Sequence, residues 1–296
     1  MARSRNRNGL YIVLFLLPVL ILFVLFFVFP LFFTAQTSVM KWKGIGDMEF
    51  IGLRNFERLF TDDTFQMALG NNLIWALASG FIQVPLALLV AILLNRKPKG
   101  WGAFRTIFFL PNVISAVAIA MMWTQVYNPN HGLLNALLAP IFPDLAHYHW
   151  LGVPATALAA IIAQSVLYIG YFMIILMAAA TNIPIELYEA AELDGATRTQ
   201  QEFAITIPML RGTLVTSATL AMAYGIRHFE ATFLMTGGGP AYSTTTMGIV
   251  LFQQMDELQY GRAGAVALIL IAFGTGMIVL LRAIFGSKDP MSDASQ

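Results

Sequence analysis

Six long apolar stretches divide the chain, and the segments between them carry most of its charged residues. The hydrocarbon core of a bilayer is about 30 Å thick, so roughly 20 apolar residues of helix are needed to cross it. The stretches therefore predict six transmembrane helices, at Leu10–Phe33, Leu73–Leu94, Thr106–Tyr127, Thr156–Ala180, Thr213–Met235 and Ala263–Phe285. Membrane barrels need short segments of alternating polarity, which this sequence lacks. The predicted fold class is an all-α membrane protein.

The first stretch is compared with a secretory signal peptide, because Arg3, Arg5 and Arg7 precede it. The apolar region of a signal peptide usually has about 7–15 residues, and this stretch is longer. Thr34-Ala35-Gln36 is also a poor cleavage site. The pattern therefore favours a retained membrane helix.

Composition strengthens the membrane assignment. Of 296 residues, 58% are hydrophobic and 11% are charged, whereas a soluble domain has about 25% charged residues. This excludes a soluble enzyme, and the high hydrophobicity excludes a disordered chain. A net charge of +1 gives no reason to expect nucleic acid as a partner. The absence of cysteine excludes disulfide bonds and thiolate metal sites.

Lysine and arginine predict the orientation, because cytoplasmic loops of membrane proteins carry an excess of both. With the N-terminus inside, the cytoplasmic segments hold eleven bases: Arg3, Arg5, Arg7, Arg96, Lys97, Lys99, Arg105, Arg198, Arg211, Arg282 and Lys288. The external segments hold five: Lys41, Lys43, Arg54, Arg58 and Arg262. The sequence therefore predicts that both termini are cytoplasmic.

The same pattern predicts three regions. Residues 1–67 form an N-terminal helix and an external loop, residues 68–285 form the core transmembrane domain, and residues 286–296 form a cytoplasmic tail. The core includes a long cytoplasmic loop over residues 181–212, which carries an unusual share of the charge.

This loop is predicted to contain two short helices. Ile185–Leu193 forms the first helix, and Gly195 ends it because glycine readily adopts the turn that follows a helix. Ala196–Ile207 forms the second helix, and Pro208 stops it. One alternative is a helix pair lying on the lipid surface, but such helices favour basic residues and this loop is mainly acidic. A protein partner fits the loop better.

Several motifs then resemble one family, the permeases of binding-protein-dependent ABC importers, and in particular the maltose and glycerol-phosphate type. The motifs that resemble its EAA loop are Glu189-Ala190-Ala191, Asp194-Gly195-Ala196, Phe203 and Pro208. Further motifs resemble the same family along the chain: Phe50–Phe56, Phe104-Arg105-Thr106, Leu110-Pro111, and Thr236–Pro240 followed by Thr244–Thr246.

The resemblance implies a type I importer bundle in the cell (inner or plasma) membrane of a prokaryote. It implies a second permease subunit as a heterodimeric partner, two cytoplasmic ATPase subunits and an external solute-binding protein. The EAA loop would dock on an ATPase, and ATP and Mg²⁺ would bind to those subunits. This chain itself has no phosphate-binding motif and no catalytic residue set, so we expect neither a cofactor nor an enzymatic activity.

The substrate path is predicted from polar groups inside the apolar stretches, which are costly in a membrane and usually face a cavity. The fourth stretch offers Gln164, Ser165, Tyr168 and Tyr171, and the fifth offers Tyr224, Arg227, His228 and Glu230. The resemblance to the maltose-type permease implies a sugar path at Gln164, Leu167, Tyr168, Tyr171, Tyr224 and Gly225. To these the residue pattern adds Arg227 and Glu230, which are spaced to pair on one helix face.

Alternatives remain open at this stage. Arg227 and Glu230 form either a structural ion pair or part of the path. The external His131, His147 and His149 could form a metal site, although no metal is expected. The transported solute is a sugar or another solute. An ion-coupled secondary transporter would show inverted repeats and broken helices, and the sequence makes neither evident.

Overall fold

The computed structural model describes residues 2–285, so the predicted tail, with Lys288, lies outside the described residues. Three helices are long and apolar enough to cross a membrane, at Val13–Ser38, Asp63–Asn95 and Tyr260–Phe285. Three bent helix pairs bring the number to as many as 6 if each pair is one span. These pairs are Trp101–Val113 with Ala116–Val126, Pro154–Val166 with Gly170–Ala180, and Arg198–Met209 with Arg211–Ile226.

The chain forms two compact units, of which the first comprises Met1–Asp62 and Val250–Ile271. Its helical segments before the last helix are Ala2–Phe23, a π-helical turn Val24–Val28, Phe29–Ser38 and Arg54–Phe60. Two short antiparallel strands, β1 (Met40–Lys41) and β2 (Glu49–Phe50), pair Met40 with Phe50.

Close backbone contacts join residues 250–271 to the first unit. A Cβ on Gly261 would lie 2.0 Å from the Met40 carbonyl oxygen, and one on Gly264 would lie 2.8 Å from Thr37 Oγ1. Asn55 Nδ2 donates to the carbonyls of Ser38 and Met40, at 2.8 and 2.9 Å. Such contacts between distant segments leave no trace in hydropathy, so the grouping of 250–271 with the first unit is not visible in the sequence, and the regions at 1–67 and 68–285 stay a prediction.

The second unit comprises Asp63–Ile249 and Ala272–Gln296. Its α-helices up to residue 236 are Asp63–Ala78, Val84–Asn95, Trp101–Phe109, Ala116–Val126, Leu133–Leu138, Pro154–Val166, Gly170–Ala180, Ile185–Leu193, Arg198–Gln201, Ile207–Met209, Arg211–Ile226 and Glu230–Thr236. Short 3₁₀ segments occur at Leu110–Val113 and Pro143–Leu145, and π-helical turns at Ser79–Gln83 and Glu202–Thr206. The helices Met247–Asp256 and Tyr260–Phe285 have residues in both units.

Within the described part of the chain, each of the three π-helical turns is followed two residues later by a proline. The prolines are Pro30, Pro85 and Pro208, after turns that end at Val28, Gln83 and Thr206. Proline lacks an N–H group and its ring clashes with the carbonyl four residues earlier. The wider i→i+5 turn moves that carbonyl away, so the helix continues through the proline.

The prediction that Pro208 stops the second loop helix is therefore wrong. Helical backbone continues through Ile207–Met209 and ends at Leu210, where the next helix begins with a bend of 67°. The predicted start at Ala196 also moves to Arg198, because Thr197 is the N-cap residue.

The third, fourth and fifth predicted spans are interrupted in the structure. The two halves of the third predicted span meet at a bend of 106°, where Ile114 is extended. Those of the fourth meet at 40°, between Val166 and Gly170. The fifth stretch is interrupted from Arg227 to Phe229. Broken helices are present although the sequence does not make them evident.

Candidate functional site

A cavity of about 550 Å³ lies where the breaks in the third, fourth and fifth spans face one another. It is lined by Ser79, Gln83, Pro111, Asn112, Ile114, Ala116, Ile119, Gln164, Ser165, Tyr168, Tyr224, Gly225, Arg227, His228, Glu230 and Ala231. All these residues belong to the second unit. The volume is within the range of about 300–1,000 Å³ that is usual for small-molecule sites.

Six of the eight residues predicted for the substrate path line this cavity: Gln164, Tyr168, Tyr224, Gly225, Arg227 and Glu230. Leu167 and Tyr171 are exposed and are not among the lining residues. Leu167 is the C-cap of the first half of the span, and Tyr171 is the second residue of the helix that forms the second half. In a continuous helix, Leu167 and Tyr171 would lie on the same face as Gln164 and Tyr168. Because the helix is broken here, they do not line the cavity with these two residues.

Gln83 stabilises the break in the fourth span. Its Nε2 donates to the carbonyl of Tyr168 at 2.9 Å and to that of Ser165 at 3.2 Å. The interrupted helix leaves carbonyls near its end without their usual partners, and a buried carbonyl without a partner is costly. The side chain from the second span thus supplies the donors that the broken helix has lost.

Close backbone packing holds the other side of this break. A Cβ on Gly170 would lie 2.2 Å from the Phe108 carbonyl oxygen and 2.6 Å from Asn112 Nδ2. Only glycine permits this approach of the third and fourth spans.

Asn72 stabilises the break in the fifth span. This buried side chain donates from Nδ2 to the Ile226 carbonyl, and its Oδ1 accepts from the Met247 N–H at 2.7 Å. The neighbouring Asn71 donates from Nδ2 to the carbonyls of Ser243 and Thr245, at 3.0 and 2.8 Å. The second span thereby holds both the end of the fifth helix and the segment that follows it.

His228 connects the two breaks. Its Nε2 lies 2.9 Å from Ser165 Oγ, and its ring lies against Trp75, with 3.9 Å between the ring centroids. A Cβ on the adjacent Gly225 would lie 2.9 Å from the Trp75 carbonyl oxygen. His228 therefore fixes the fifth span against the second and the fourth on one side of the cavity.

The predicted pairing of Arg227 with Glu230 on one helix face is wrong. Arg227 is the C-cap of one helix and Glu230 begins the next, so the regular i, i+3 geometry is lost. Among the side chains that the structure describes, no ion pair joins Arg227 and Glu230, unlike Lys41–Glu49 and Arg96–Glu202. The Arg227 guanidinium instead lies over the Tyr224 ring, 5.5 Å from its centroid. Both charged residues line the cavity.

The cavity offers side-chain amides, hydroxyls and aromatic rings, with one cation and one anion. Its charge and hydrogen-bonding capacity suit a polar, uncharged solute better than a strongly charged one. Ser79, Gln83 and Asn112 were not predicted as lining residues. An amide within an otherwise apolar stretch is the signal that identifies Gln83 and Asn112 in the sequence; nothing marks Ser79.

The predicted coupling loop forms two helices joined by a tight turn. Gly195 has a φ of +78°, the Ala196 N–H donates to the Ala191 carbonyl at 2.9 Å, and the Gly195 N–H donates to the Glu192 carbonyl at 3.0 Å. This bond pair is a Schellman motif, which ends a helix by satisfying its last carbonyls. Thr197 and Gln200 then form a capping box that begins the second helix.

Most of the predicted coupling residues are exposed. Glu189, Ala190, Asp194, Gly195, Phe203 and Pro208 are exposed, and Ala191 and Ala196 are half-buried. Two large apolar side chains stand out, with Leu193 90% and Phe203 70% exposed. Exposed apolar residues bordered by acidic ones are typical of a surface that binds another protein.

Two contacts join the loop helices to each other, and a third joins the loop to the second span. The Tyr188 hydroxyl lies 2.8 Å from Thr206 Oγ1, and Gln201 Nε2 donates to the Tyr188 carbonyl at 3.4 Å. Arg96, at the end of the second span, pairs with Glu202 at 3.2 Å. The loop is therefore connected to the second span as well as to the fourth and fifth.

The histidines that were considered as a metal site make separate contacts. His131 Nε2 lies 3.2 Å from Gln125 Oε1, and His147 Nδ1 lies 3.2 Å from the Pro129 carbonyl oxygen. Within residues 2–285, no group of three or more His, Asp or Glu side chains is arranged to hold a metal ion.

Residues 83–286 match the family described as the binding-protein-dependent transport system inner membrane component. The chain belongs to this family. The matched region contains most of the cavity residues and the whole coupling loop. The sequence resemblance that was based on the EAA loop is confirmed.

Similar proteins cover almost the whole chain. A probable ABC transporter permease, YurN of Bacillus subtilis, is 35% identical over 280 residues, covering 92% of this chain and 96% of the relative. The multiple sugar-binding transport system permease MsmF of Streptococcus mutans is 34% identical, covering 93% and 94%. The trehalose/maltose transport system permease MalF of Thermococcus litoralis is 30% identical, covering 86% and 87%.

A solved structure shares the fold. It is a bacterial alginate ABC transporter in complex with an alginate pentasaccharide-bound periplasmic protein. One of its chains matches with a TM-score of 0.83 at 24% identity, covering 98% of both chains. The predicted type I importer bundle is confirmed.

This permease is therefore a membrane-embedded subunit of an ABC importer and not an enzyme. Its family depends on a binding protein for transport, as the family description states. Membership excludes the ion-coupled secondary transporter, although broken helices surround the cavity.

Proposed function

We propose that this permease forms half of the translocation path for a sugar or a short oligosaccharide. The observation that carries the proposal is the cavity of about 550 Å³ at the three helix breaks. It brings Tyr168 and Tyr224 together with Gln164 and Asn112. Sugars present apolar C–H faces and many hydroxyl groups, which suit aromatic rings beside amides.

The names of the relatives support the same substrate class. MsmF and MalF are named for multiple sugars and for trehalose and maltose, and a further relative, NgcF of Streptomyces coelicolor, for diacetylchitobiose. One relative, GgtC of Synechocystis, is named for osmoprotective compounds. A non-sugar osmolyte is therefore the second candidate solute.

We further propose that the loop helices Ile185–Leu193 and Arg198–Met209 couple this path to a cytoplasmic ATPase. The exposed Glu189, Leu193 and Phe203 would contact the ATPase surface. Movement of the loop would reach the fifth span through the bend at Leu210 and the second span through Arg96–Glu202. These spans carry residues of the cavity wall, so ATP-driven movement would open and close the path.

The complete importer in this proposal contains a second permease subunit, two ATPase subunits and an external solute-binding protein. ATP and Mg²⁺ bind to the ATPase subunits, and this chain holds no cofactor. The work of transport is done by the partners, and this subunit transmits it.

The substrate proposal is tested by the double variant Tyr168→Ala/Tyr224→Ala in the complete importer. Uptake of labelled di- and trisaccharides is measured in cells, with glycine betaine as a non-sugar probe. We expect at least a tenfold loss of saccharide uptake with basal ATP hydrolysis retained. Tyr242→Ala is the matched control, because Tyr242 is exposed and does not line the cavity. Wild-type saccharide uptake in the double variant, or uptake of glycine betaine alone, would reject a sugar path at these residues.

The coupling proposal is tested by Glu189→Lys, with Glu57→Lys as the control. Both glutamates are exposed, and Glu57 lies in the segment before the second span. We expect the first variant to abolish substrate-stimulated ATP hydrolysis and the control to retain it. Membrane insertion of both is checked by the amount of full chain in purified membranes. Normal stimulation with Glu189→Lys would mean that this loop face is not the coupling surface.

A further inference from the structure

A second cavity lies at the ends of the second and fourth spans, near the start of the coupling loop. Its volume is about 190 Å³, and it is lined by Leu94, Asn95, Lys97, Trp101, Arg105, Ile174, Met177, Ala178 and Thr181. None of these residues belongs to the substrate cavity or is a predicted coupling residue. We propose that this cavity binds the phosphate headgroup of an anionic phospholipid.

Charge is the first argument for an anion. Residues 96–105 contain four bases and no acidic residue. Arg96 pairs with Glu202, whereas neither Lys97 nor Arg105 forms an ion pair within residues 2–285. No carboxylate lines the cavity. The Arg105 guanidinium can hold two phosphate oxygens at once, and the Lys97 ammonium adds a second charge.

The two cations, Lys97 and Arg105, make the electrostatic potential in the cavity positive. The helices Val84–Asn95 and Gly170–Ala180 end here, and helix C-termini carry partial negative charge. The helix Trp101–Phe109 begins here and contributes a positive end. The two negative ends exceed the one positive end by about half a charge, but Lys97 and Arg105 each carry a full positive charge and make the cavity attractive to an anion.

The apolar wall is the argument for a lipid rather than a soluble anion. Leu94, Ile174 and Met177 line the cavity together with Trp101. Tryptophan is enriched where the headgroup region of a bilayer meets the acyl chains. A phosphate held by Lys97 and Arg105 would place its acyl chains along this wall. Basic pockets between membrane helices are typical sites for anionic lipid headgroups.

A tight turn of the backbone at Lys97 brings the two cations to the same cavity. Lys97 has a φ of +48°, a left-handed conformation that is uncommon for a residue with a side chain. Its N–H donates to the Leu94 carbonyl at 3.0 Å, and Gly100 follows with a φ of +80°. This tight turn directs the chain from the end of the second span into the helix of Trp101 and Arg105. Lys97 and Arg105 therefore border the same cavity.

The test uses the full-length permease in detergent, titrated with phosphatidylglycerol and observed by native mass spectrometry. The site variant is Lys97→Gln/Arg105→Gln. Lys99→Gln/Arg198→Gln is the control, because it removes the same charge from exposed positions outside the cavity. We expect the site variant to lower the apparent affinity of the first bound lipid about thirtyfold, since each base contributes about fivefold. The control should change it less than threefold.

Further arms distinguish the sources of phosphate. Phosphatidylcholine should bind more weakly than phosphatidylglycerol, and inorganic phosphate should not displace the bound lipid. The charge-conserving variant Lys97→Arg/Arg105→Lys should retain binding, which separates loss of charge from misfolding. Equal losses in the site and control variants would overturn the proposal in favour of diffuse surface attraction. Displacement by inorganic phosphate would overturn it in favour of a soluble anion. The test is independent of the transported solute.

Discussion

The wall of the substrate cavity and the coupling loop are both built from short, interrupted helices, yet different interactions hold them. Along the cavity wall, side chains bond to backbone groups far away in sequence, as Gln83 does to Tyr168 and Asn72 to Ile226. In the loop, the bonds that begin and end the helices are local, whereas the Tyr188–Thr206 contact and the Arg96–Glu202 pair join more distant residues. The Schellman motif at Gly195 and the capping box at Thr197 each involve residues within one helical turn or little more.

This difference suits the two tasks proposed for them. A cavity wall built from long-range bonds keeps its breaks open only while the whole bundle is folded. A loop whose shape is determined locally keeps that shape when it moves as a unit or binds another protein. Substitutions at the wall should therefore affect the entire bundle, and substitutions in the loop should have local effects.

Asn72→Ala should have the largest effect on stability. It removes the partners of the Ile226 carbonyl and the Met247 N–H, both of which the buried amide satisfies. Two buried groups left unsatisfied cost about 2–5 kcal/mol. We expect a lower thermal unfolding temperature for the full chain in detergent, measured by circular dichroism. The exposed Asn130 provides the control Asn130→Ala. Similar stability of both variants would remove Asn72 as a support of the break.

Gln83→Met should have the next largest effect. The methionine keeps the volume but leaves the carbonyls of Ser165 and Tyr168 without this donor, at a cost of about 1–3 kcal/mol. We expect a smaller fall in unfolding temperature than for Asn72→Ala, together with reduced solute uptake. Gln253→Met, at a half-buried position outside the cavity, serves as the control. Normal uptake and stability would show that the break does not depend on Gln83.

Gly195→Ala should act on the loop alone. Its φ of +78° is unfavourable for alanine by about 1–2 kcal/mol. Hydrogen exchange of residues 185–209 should accelerate, while the unfolding temperature of the bundle stays unchanged. Gly102→Ala is the control, because Gly102 is helical and a Cβ there meets no atom within 4 Å. If Gly195→Ala lowered the stability of the whole bundle, the loop could not be regarded as a locally determined element.

Thr197→Ala should have the smallest effect. It removes the side-chain acceptor of the capping box, which contributes about 1 kcal/mol to a helix. Faster hydrogen exchange is expected at Arg198–Gln201 and not in Ile185–Leu193. Thr199→Ala is the control: this threonine is exposed and lies two residues later, and its replacement should leave hydrogen exchange unchanged. A slow exchange rate retained in Thr197→Ala would mean that packing, rather than capping, maintains this helix.

The same difference between local and long-range interactions explains what could be predicted from the sequence. The first loop helix was predicted at Ile185–Leu193 and occurs with those bounds, because Gly195, which ends it, acts locally. The six apolar stretches were recognised for the same reason. The breaks at Ile114 and Leu167 were missed, because they depend on Gly170 meeting Phe108 and on Gln83 meeting a span more than 80 residues away.

For the candidate site, the sequence predicted which residues are present but not how they are arranged. The polar residues of the fourth and fifth stretches are visible in the sequence because their type is unusual in a membrane. Their arrangement is not visible: Tyr171 lies away from the cavity lining, and Arg227 contacts Tyr224 instead of Glu230. Rules for a regular helix place residues correctly only where the helix is unbroken.

The π-helical turns before Pro30, Pro85 and Pro208 have a consequence for tolerance to insertion and deletion. Each such turn accommodates one residue more than an α-helical turn does, and one residue corresponds to about 100° of rotation around the helix axis. Removing a residue from Ser79–Gln83 would therefore do more than shorten the second span. It would rotate one half of that helix relative to the other, carrying the amides of Asn72 and Gln83 towards different neighbours. Homologous chains should accordingly vary in length in their external loops and keep the spacing across this turn.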